Sequence, residues 1–166
     1  MSMLSGRRRI IGWVSAMLVF TILTATGIAL LVMRPVLPKT ISKQITFTLL
    51  VPSHEISQVR QTAKFDGSLG QLSYIVKIGQ NQITVSEQAT PENFTLVPQA
   101  YDKVVEGMKP YDSFETSLGK ISIAKVSGKQ TAVTNTKGTL LFAQANQDMS
   151  SDDWRKFFAQ FAVVTQ

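Results

Sequence analysis

The stretch FETSLGKISIAKVSGKQTAVTNTKGTLLFA, residues 114–143, decides the fold of this 166-residue chain. It holds four short β-prone runs separated by turn residues: Phe114–Leu118, Ile121–Val126, Thr131–Thr134 and Thr139–Ala143. Short runs at this spacing predict an antiparallel meander. In the last turn, Gly138 is expected to take the left-handed backbone conformation that tight hairpin connections need.

The residues after the meander have the pattern of an amphipathic helix. The stretch Ser150-Ser151-Asp152-Asp153 suits a helix start, because its oxygens accept hydrogen bonds from the free amides and complement the positive end of the helix. Apolar residues then recur at i, i+3, i+4, i+7 and i+8, namely Trp154, Phe157, Phe158, Phe161 and Ala162. We predict that this aromatic stripe packs on the sheet; the alternative is a ligand or partner surface.

Period-two alternation before the meander predicts further strands. From Gln44 to Pro52, apolar residues alternate with threonines, which is the pattern of a half-buried strand. The less periodic run Gln58–Phe65 is a candidate to pair with the next strand through the turn-like residues 66–70. The runs Leu72–Ile78 and Ile83–Val85 alternate on either side of a glycine-containing turn and predict a hairpin.

One helix is predicted between this hairpin and the meander. Pro98 suits the first helical position, where the missing amide would be unpaired in any case. Tyr101, Val104, Val105 and Met108 follow at i, i+3, i+4 and i+7. The predicted fold class is therefore α+β: an antiparallel sheet covered by the C-terminal helix, with this helix as a candidate second cover.

An uncharged apolar run from Ile10 to Met33 predicts an N-terminal transmembrane helix before this domain. A helix of that length rises roughly 36 Å, enough to cross an apolar bilayer core of about 30 Å. The alternative is a cleaved signal peptide, whose apolar centre is usually only about 7 to 15 residues long. Because Ile28–Met33 continue apolar beyond the small residues Ala25-Thr26-Gly27, we predict an uncleaved anchor.

Basic residues flank the apolar run unequally, and this asymmetry predicts its orientation. Arg7, Arg8 and Arg9 crowd the N-terminal side, whereas Arg34 stands on the other side with only dispersed lysines after it. Cytoplasmic flanks carry the excess of positive charge, so the N-terminus is expected inside the cell and the rest of the chain outside. Trp13 fits an interfacial aromatic residue. These five residues are the predicted membrane-topology residues.

The chain is thus predicted to divide into a cytoplasmic N-terminus (1–9), a transmembrane helix (10–33), a juxtamembrane linker (34–43) and an extracytoplasmic α+β domain (44–166). The roughly 130 residues after the helix suffice for one hydrophobic core. Because the chain has no cysteine, this domain must rely on its core rather than on disulfides. Four of the 17 basic residues flank the helix, so the net charge of +6 gives little support to nucleic-acid binding.

No residue pattern predicts a catalytic, cofactor or metal site. His54 is the sole histidine, so a histidine-based metal site or serine triad would depend on it, and we interpret it as a surface loop residue. Asp152 and Asp153 are better explained as helix-capping residues than as an acid pair. The glycines lack the spacing of a phosphate-binding loop. A serine–lysine arrangement stays open, because both residue types are abundant.

Four segments of the last third carry a resemblance: Ser117–Ile121, Gly128–Val133, Gly138–Phe142 and Ser150–Phe158. Their order resembles uncharacterised bacterial domains carried outside the membrane on a single helix. More distantly it is similar to the curved-sheet sensor domains of anti-sigma-factor systems and to lipoprotein carriers. The resemblance implies a membrane-tethered sensing or binding domain. An anti-sigma role is not expected, because only residues 1–9 would lie inside the cell.

Our leading hypothesis is a single-pass, non-enzymatic binding, sensing or scaffold module on the outer face of a bacterial cell membrane. Its expected partners are the lipid bilayer and another envelope protein, and its oligomeric state is left open. The alternative is an envelope hydrolase, or an accessory subunit of one, with a serine or carboxylate site. A deep polar pocket with a shifted carboxylate favours the hydrolase, whereas a shallow apolar groove favours binding.

Overall fold

The computed structural model describes residues 36–164, which form one α+β unit built on antiparallel strands. The strands are β1 Leu49–Pro52, β2 Lys64–Asp66, β3 Gln71–Ile78, β4 Asn81–Ala89, β5 Asp112–Thr116, β6 Gly119–Val126, β7 Lys129–Thr136, β8 Thr139–Ala145 and β9 Phe161–Val164. The helices are α1 Lys39–Ser42, α2 Ile56–Thr62, α3 Glu92–Leu96, α4 Pro98–Gly107 and α5 Ser151–Ala159, with a 3-10 turn at Ser53–Glu55. Seven strands form one sheet in the order β2-β3-β4-β8-β7-β6-β5, and β1 pairs with β9 in a separate ribbon.

The predicted meander and hairpin are confirmed. Strands β5 to β8 pair antiparallel in sequence order, and β3 pairs antiparallel with β4. Between β7 and β8, Lys137 and Gly138 have φ values of 51° and 78°, so Gly138 is left-handed as predicted. Two consecutive residues with positive φ give the hairpin turn whose twist matches that of the flanking strands.

The two faces of the sheet are covered differently. The first, called the core face below, carries buried side chains that include Leu72 and Tyr74 of β3, Val85 of β4, Leu141 of β8 and Ile123 of β6. These pack in one cluster with side chains of α2, of α5 and of the β1–β9 ribbon. The second, called the open face below, carries Thr84, Ser86, Thr131, Phe142 and Gln144.

The C-terminal helix packs its aromatic stripe in the core, as predicted. Ser150 caps α5, since its hydroxyl accepts a hydrogen bond from the Asp153 amide at 3.2 Å. Trp154, Phe157 and Phe158 are each 0% exposed. The stripe therefore does not form the alternative ligand surface.

The predicted extent of this helix is wrong at its end. The helix stops at Ala159, and Phe161 and Ala162 belong to β9. Phe161 is still buried, but it reaches the core from a strand. Pairing with β1 explains the change, because Phe161 faces Pro52 and Ala162 faces Val51 in the ribbon.

Two predictions before the hairpin are also corrected. The strand expected from Gln44 to Pro52 is restricted to β1, and all four of its residues are buried rather than alternating. The reason is that β1 lies within the core cluster, together with Leu37 and with Phe47 of the preceding segment. Within Gln58–Phe65, most residues belong to α2, and the strand pairing with β3 is limited to Lys64–Asp66.

The predicted membrane anchor at Ile10–Met33 lies outside the described residues, together with its flanking residues Arg7, Arg8, Arg9, Trp13 and Arg34. From residue 36 to residue 164, no helix has the length and apolar character needed to cross a membrane. Part of the segment predicted as a linker is ordered on the domain. Leu37 is 2% exposed in the core cluster, and α1 follows it.

Candidate functional site

A groove on the open face is the candidate functional site. Its volume is about 450 Å³. Eight residues line it: Gln71, Thr84, Ser86, Met108, Val126, Thr131, Phe142 and Gln144. All but Met108 come from strands, and Met108 directly follows α4. The groove therefore lies where this helix ends and leaves the sheet uncovered.

The strand register makes the groove run across the sheet. Thr84 of β4 faces Gln144 of β8, which in turn faces Thr131 of β7, so these three side chains form one row across the strands. Ser86 and Phe142 face each other in the next row. The lining reaches from β3 to β6, five neighbouring strands, or roughly 19 Å at the usual strand spacing. That length suits an extended peptide segment of about five or six residues.

The chemistry of the lining is uncharged. Hydroxyls of Thr84, Ser86 and Thr131 and the amides of Gln71 and Gln144 can each donate and accept hydrogen bonds. The Gln144 amide donates to the Thr131 hydroxyl over 3.4 Å, a long contact that an incoming ligand group could replace. The remaining lining side chains, Met108, Val126 and Phe142, are apolar. The groove thus offers hydrogen bonds and apolar contact without a charge.

The end of helix α4 borders the groove through Met108, and Tyr101 of the same helix interacts with the Asn135 backbone of β7. The Tyr101 ring packs edge-on against Phe94 with ring centres 5.8 Å apart. Burial, and the nearby Asp102 carboxylate, raise the pKa of Tyr101 to about 12. The predicted apolar stripe of this helix holds only in part, since Val104 is 44% exposed.

The most strongly perturbed carboxyl of the described residues lies away from the groove, on the core face. Glu87 is 0% exposed, and burial raises its pKa to about 8. It alternates along β4 with Ser86, whose side chain lines the groove on the other face. The carboxyl of Glu87 therefore cannot contact a ligand in the groove.

Sequence reasoning did not single out Glu87, although a signal was present. The alternation that places Ile83 and Val85 inward continues to Glu87. A strict period-two count along β4 would therefore have marked it as a buried acid. Acidic residues ordinarily face outward, so the inward alternation was not extended to Glu87.

The residues examined as chemical candidates are not brought together by the fold. His54 is exposed in the 3-10 turn Ser53–Glu55, in agreement with its interpretation as a surface residue. Asp152 and Asp153 lie in the first turn of α5, where they complement the helix start. Within residues 36–164, no group of three or more histidine or carboxylate side chains is placed to hold a metal ion.

Comparison with known proteins gave no relative. No protein-family model matches the chain, and no curated protein or solved structure matches it significantly. The resemblance to extracytoplasmic sensor and carrier domains stays a prediction.

Proposed function

We propose that the chain is a non-enzymatic binding module, held on the outer face of a bacterial cell membrane by its Ile10–Met33 helix with the N-terminus inside. Its ligand is an extended, uncharged and partly apolar segment of another envelope protein. The observation that carries the proposal is the groove on the open face, whose lining is uncharged and crosses five strands.

The lining favours an uncharged ligand for a physical reason. A charged group entering the groove would lose hydration and meet no opposite charge among the lining side chains. An uncharged peptide keeps its hydrogen bonds, because hydroxyls such as that of Ser86 and amides such as that of Gln144 can pair with its backbone. Phe142 provides a flat apolar surface for one of its side chains.

The same lining supports binding over hydrolysis. A serine or threonine hydroxyl needs an adjacent base to act as a nucleophile. Beside Thr84, Ser86 and Thr131, the lining contributes no histidine, lysine or carboxylate. The carboxyl with the raised pKa, Glu87, lies on the core face and out of reach.

The proposal predicts crosslinking from the groove. A photoreactive residue placed at Thr84 in the full chain, in its native membrane, is expected to give a discrete adduct with one envelope protein. The same residue at Glu115, exposed on the edge strand β5, is the matched control and is expected to give none. Equal adducts from both positions would contradict the proposal.

Two variants test whether the groove chemistry causes the crosslink. They are examined with the photoreactive residue moved to Ser86. Phe142→Ala removes the apolar surface and is expected to lower the adduct yield about tenfold, equivalent to about 1.4 kcal/mol of binding. Thr84→Arg places a charge at an exposed position and is expected to do the same without affecting folding. An unchanged yield in both variants, with melting temperature retained, would show that the partner does not occupy the groove.

A further inference from the structure

The inner backbone edge of β1 is buried and lacks a neighbouring strand. One edge of β1 pairs with β9, and the other faces the core, where Leu50 is 0% exposed. Buried backbone N–H and C=O groups require hydrogen-bond partners. The Leu50 amide donates to Glu87 Oε2 at 3.0 Å, and the Leu50 carbonyl accepts from the Tyr74 hydroxyl at 2.8 Å. Two side chains thus replace the missing strand.

On the same edge, the Thr48 carbonyl is hydrogen-bonded by a group that does not ionise. In an extended strand, every second residue directs its backbone groups to the same side. Two residues before Leu50, the Thr48 carbonyl accepts from the Thr139 hydroxyl at 2.5 Å. Two residues after Leu50 is Pro52, which has no amide proton and therefore needs no acceptor there. Of the hydrogen bonds seen on this edge, those of Leu50 are the ones made by titratable side chains.

The number of protons available at these hydrogen bonds decides the protonation state of Glu87 that fits this geometry. The Tyr74 hydroxyl lies 2.8 Å from the Leu50 carbonyl and 2.7 Å from Glu87 Oε1, yet it has only one proton. Because the carbonyl can only accept, the tyrosine proton goes to Leu50. The bond between Tyr74 and Glu87 then needs a proton from the carboxyl. The ring of hydrogen bonds closes only when Glu87 is the neutral acid.

We propose that Glu87 is a proton-operated latch. As the neutral acid it holds the β1–β9 ribbon on the core face, and its ionisation releases the ribbon at Leu50 while the seven-stranded sheet persists. The latch lies on the face opposite the groove, so it is independent of the proposed binding function. The latch makes the conformation at β1, the strand that follows residues 36–48, dependent on pH.

Within residues 36–164, no charged side chain is buried beside Glu87 to stabilise its ionised form. Its cross-strand neighbours are Leu72 and Leu141, and β1 contributes only apolar residues and Pro52. The helix side chains buried in this core are uncharged, namely Val59 of α2 and Trp154, Phe157 and Phe158 of α5. Among the buried side chains of residues 36–164, Glu87 is the only acid, and Tyr74 is the titratable group that faces it.

The direction of the pH dependence follows from burial. Burial raises the pKa of Glu87 from 4.5 to about 8 and raises that of Tyr74 well above 10. The folded state therefore binds the proton more tightly than the unfolded state does. The stabilisation is fully present below pH 4.5 and is lost as the pH rises through about 8.

Hydrogen exchange of the full chain in detergent micelles tests the latch. From pH 6 to pH 9, the protection factor of the Leu50 amide, corrected for intrinsic exchange, is expected to fall about a hundredfold, because linkage gives tenfold for each pH unit up to the pKa. Amides of the central strands, such as that of Val133, are expected to stay better protected than Leu50 at every pH, because they exchange only when the sheet itself unfolds. A fall of less than tenfold at Leu50, or protection at Leu50 equal to that at Val133 throughout, would overturn the proposal.

Glu87→Gln is the matched control. Its amide oxygen can accept from the Leu50 amide and its nitrogen can donate to Tyr74, but it cannot ionise. Protection at Leu50 is expected to be independent of pH in this variant, and the same pH dependence as in the native protein would overturn the proposal. If the variant fails to fold, the ¹³C shift of the native Glu87 carboxyl decides. A protonated signal at pH 6 supports the latch, and a carboxylate signal at that pH refutes it.

Discussion

Replacing both Trp154 and Phe158 by alanine is expected to unfold the domain. Both side chains are 0% exposed, and their rings stack with centres 5.9 Å apart. Truncating a buried aromatic residue to alanine costs about 3 to 5 kcal/mol. Two such losses approach the roughly 5 to 15 kcal/mol by which a domain is stable, even though contacting residues are not fully additive.

Thermal unfolding followed by circular dichroism measures this effect. Lys156→Ala is the matched control, because Lys156 lies exposed on the same helix. The control is expected to keep the native melting temperature, whereas the double variant is expected to show no cooperative transition. A double variant that melts at the native temperature would show that the aromatic stripe does not stabilise the core.

Replacing Gln130 by leucine is expected to be the next most destabilising change. The Gln130 side-chain oxygen accepts from the Met149 amide at 2.7 Å and from the Trp154 indole nitrogen at 3.0 Å. Its nitrogen donates to the Met149 carbonyl at 3.1 Å. Leucine would leave these three buried groups unpaired, at a cost of about 1 to 3 kcal/mol each.

Urea unfolding of the full chain gives the free energy that tests this prediction. Gln144→Leu on the neighbouring strand is the matched control, because the Gln144 amide makes a single side-chain contact of 3.4 Å. We expect the Gln130 variant to lose about 3 to 6 kcal/mol and the control to lose less than about 1 kcal/mol. Similar losses in both variants would show that Gln130 does not secure the start of α5.

The elements that could be predicted from the sequence are those fixed by local patterns. The meander follows from short β-prone runs and turn glycines, and α5 follows from the Ser150 cap and the aromatic spacing. In each case the residues that determine the structure lie within one or two elements of each other. Local hydrogen bonding and burial are then sufficient to decide the outcome.

The elements that escaped prediction depend on distant partners. Strand β9 spans only Phe161–Val164 and exists because β1, near the other end of the domain, pairs with it. Its residues continue the helical spacing of α5, so local periodicity gives no sign of the strand. The buried polar groups Glu87 and Gln130 also have partners from other elements, so even where the alternation of β4 marks Glu87 as inward-facing, the sequence does not show what its carboxyl contacts.

The groove could not be predicted for a related reason. It depends on the pairing of β4 with β8, which places Thr84 beside Gln144 across the sheet. Five other elements separate these strands along the chain, namely α3, α4 and β5 to β7. A pattern within either strand marks its outward residues but does not reveal which outward residues meet.

The groove and the latch can be tested separately, because they lie on opposite faces of the sheet. Variants of Phe142 or Thr84 are expected to change partner binding and to leave the pH dependence at Leu50 intact. Glu87→Gln is expected to do the reverse. Each proposal can therefore fail without the other.

The central claim is that the domain, through its open face, recognises the partner. Crosslinking from Thr84 in membranes tests it most directly when the native chain is compared with one whose Ile10–Met33 segment is replaced by an unrelated transmembrane helix. We predict the same adduct, in similar yield, from both chains. An adduct that forms only with the native segment would contradict the claim and would place recognition in the predicted membrane helix instead.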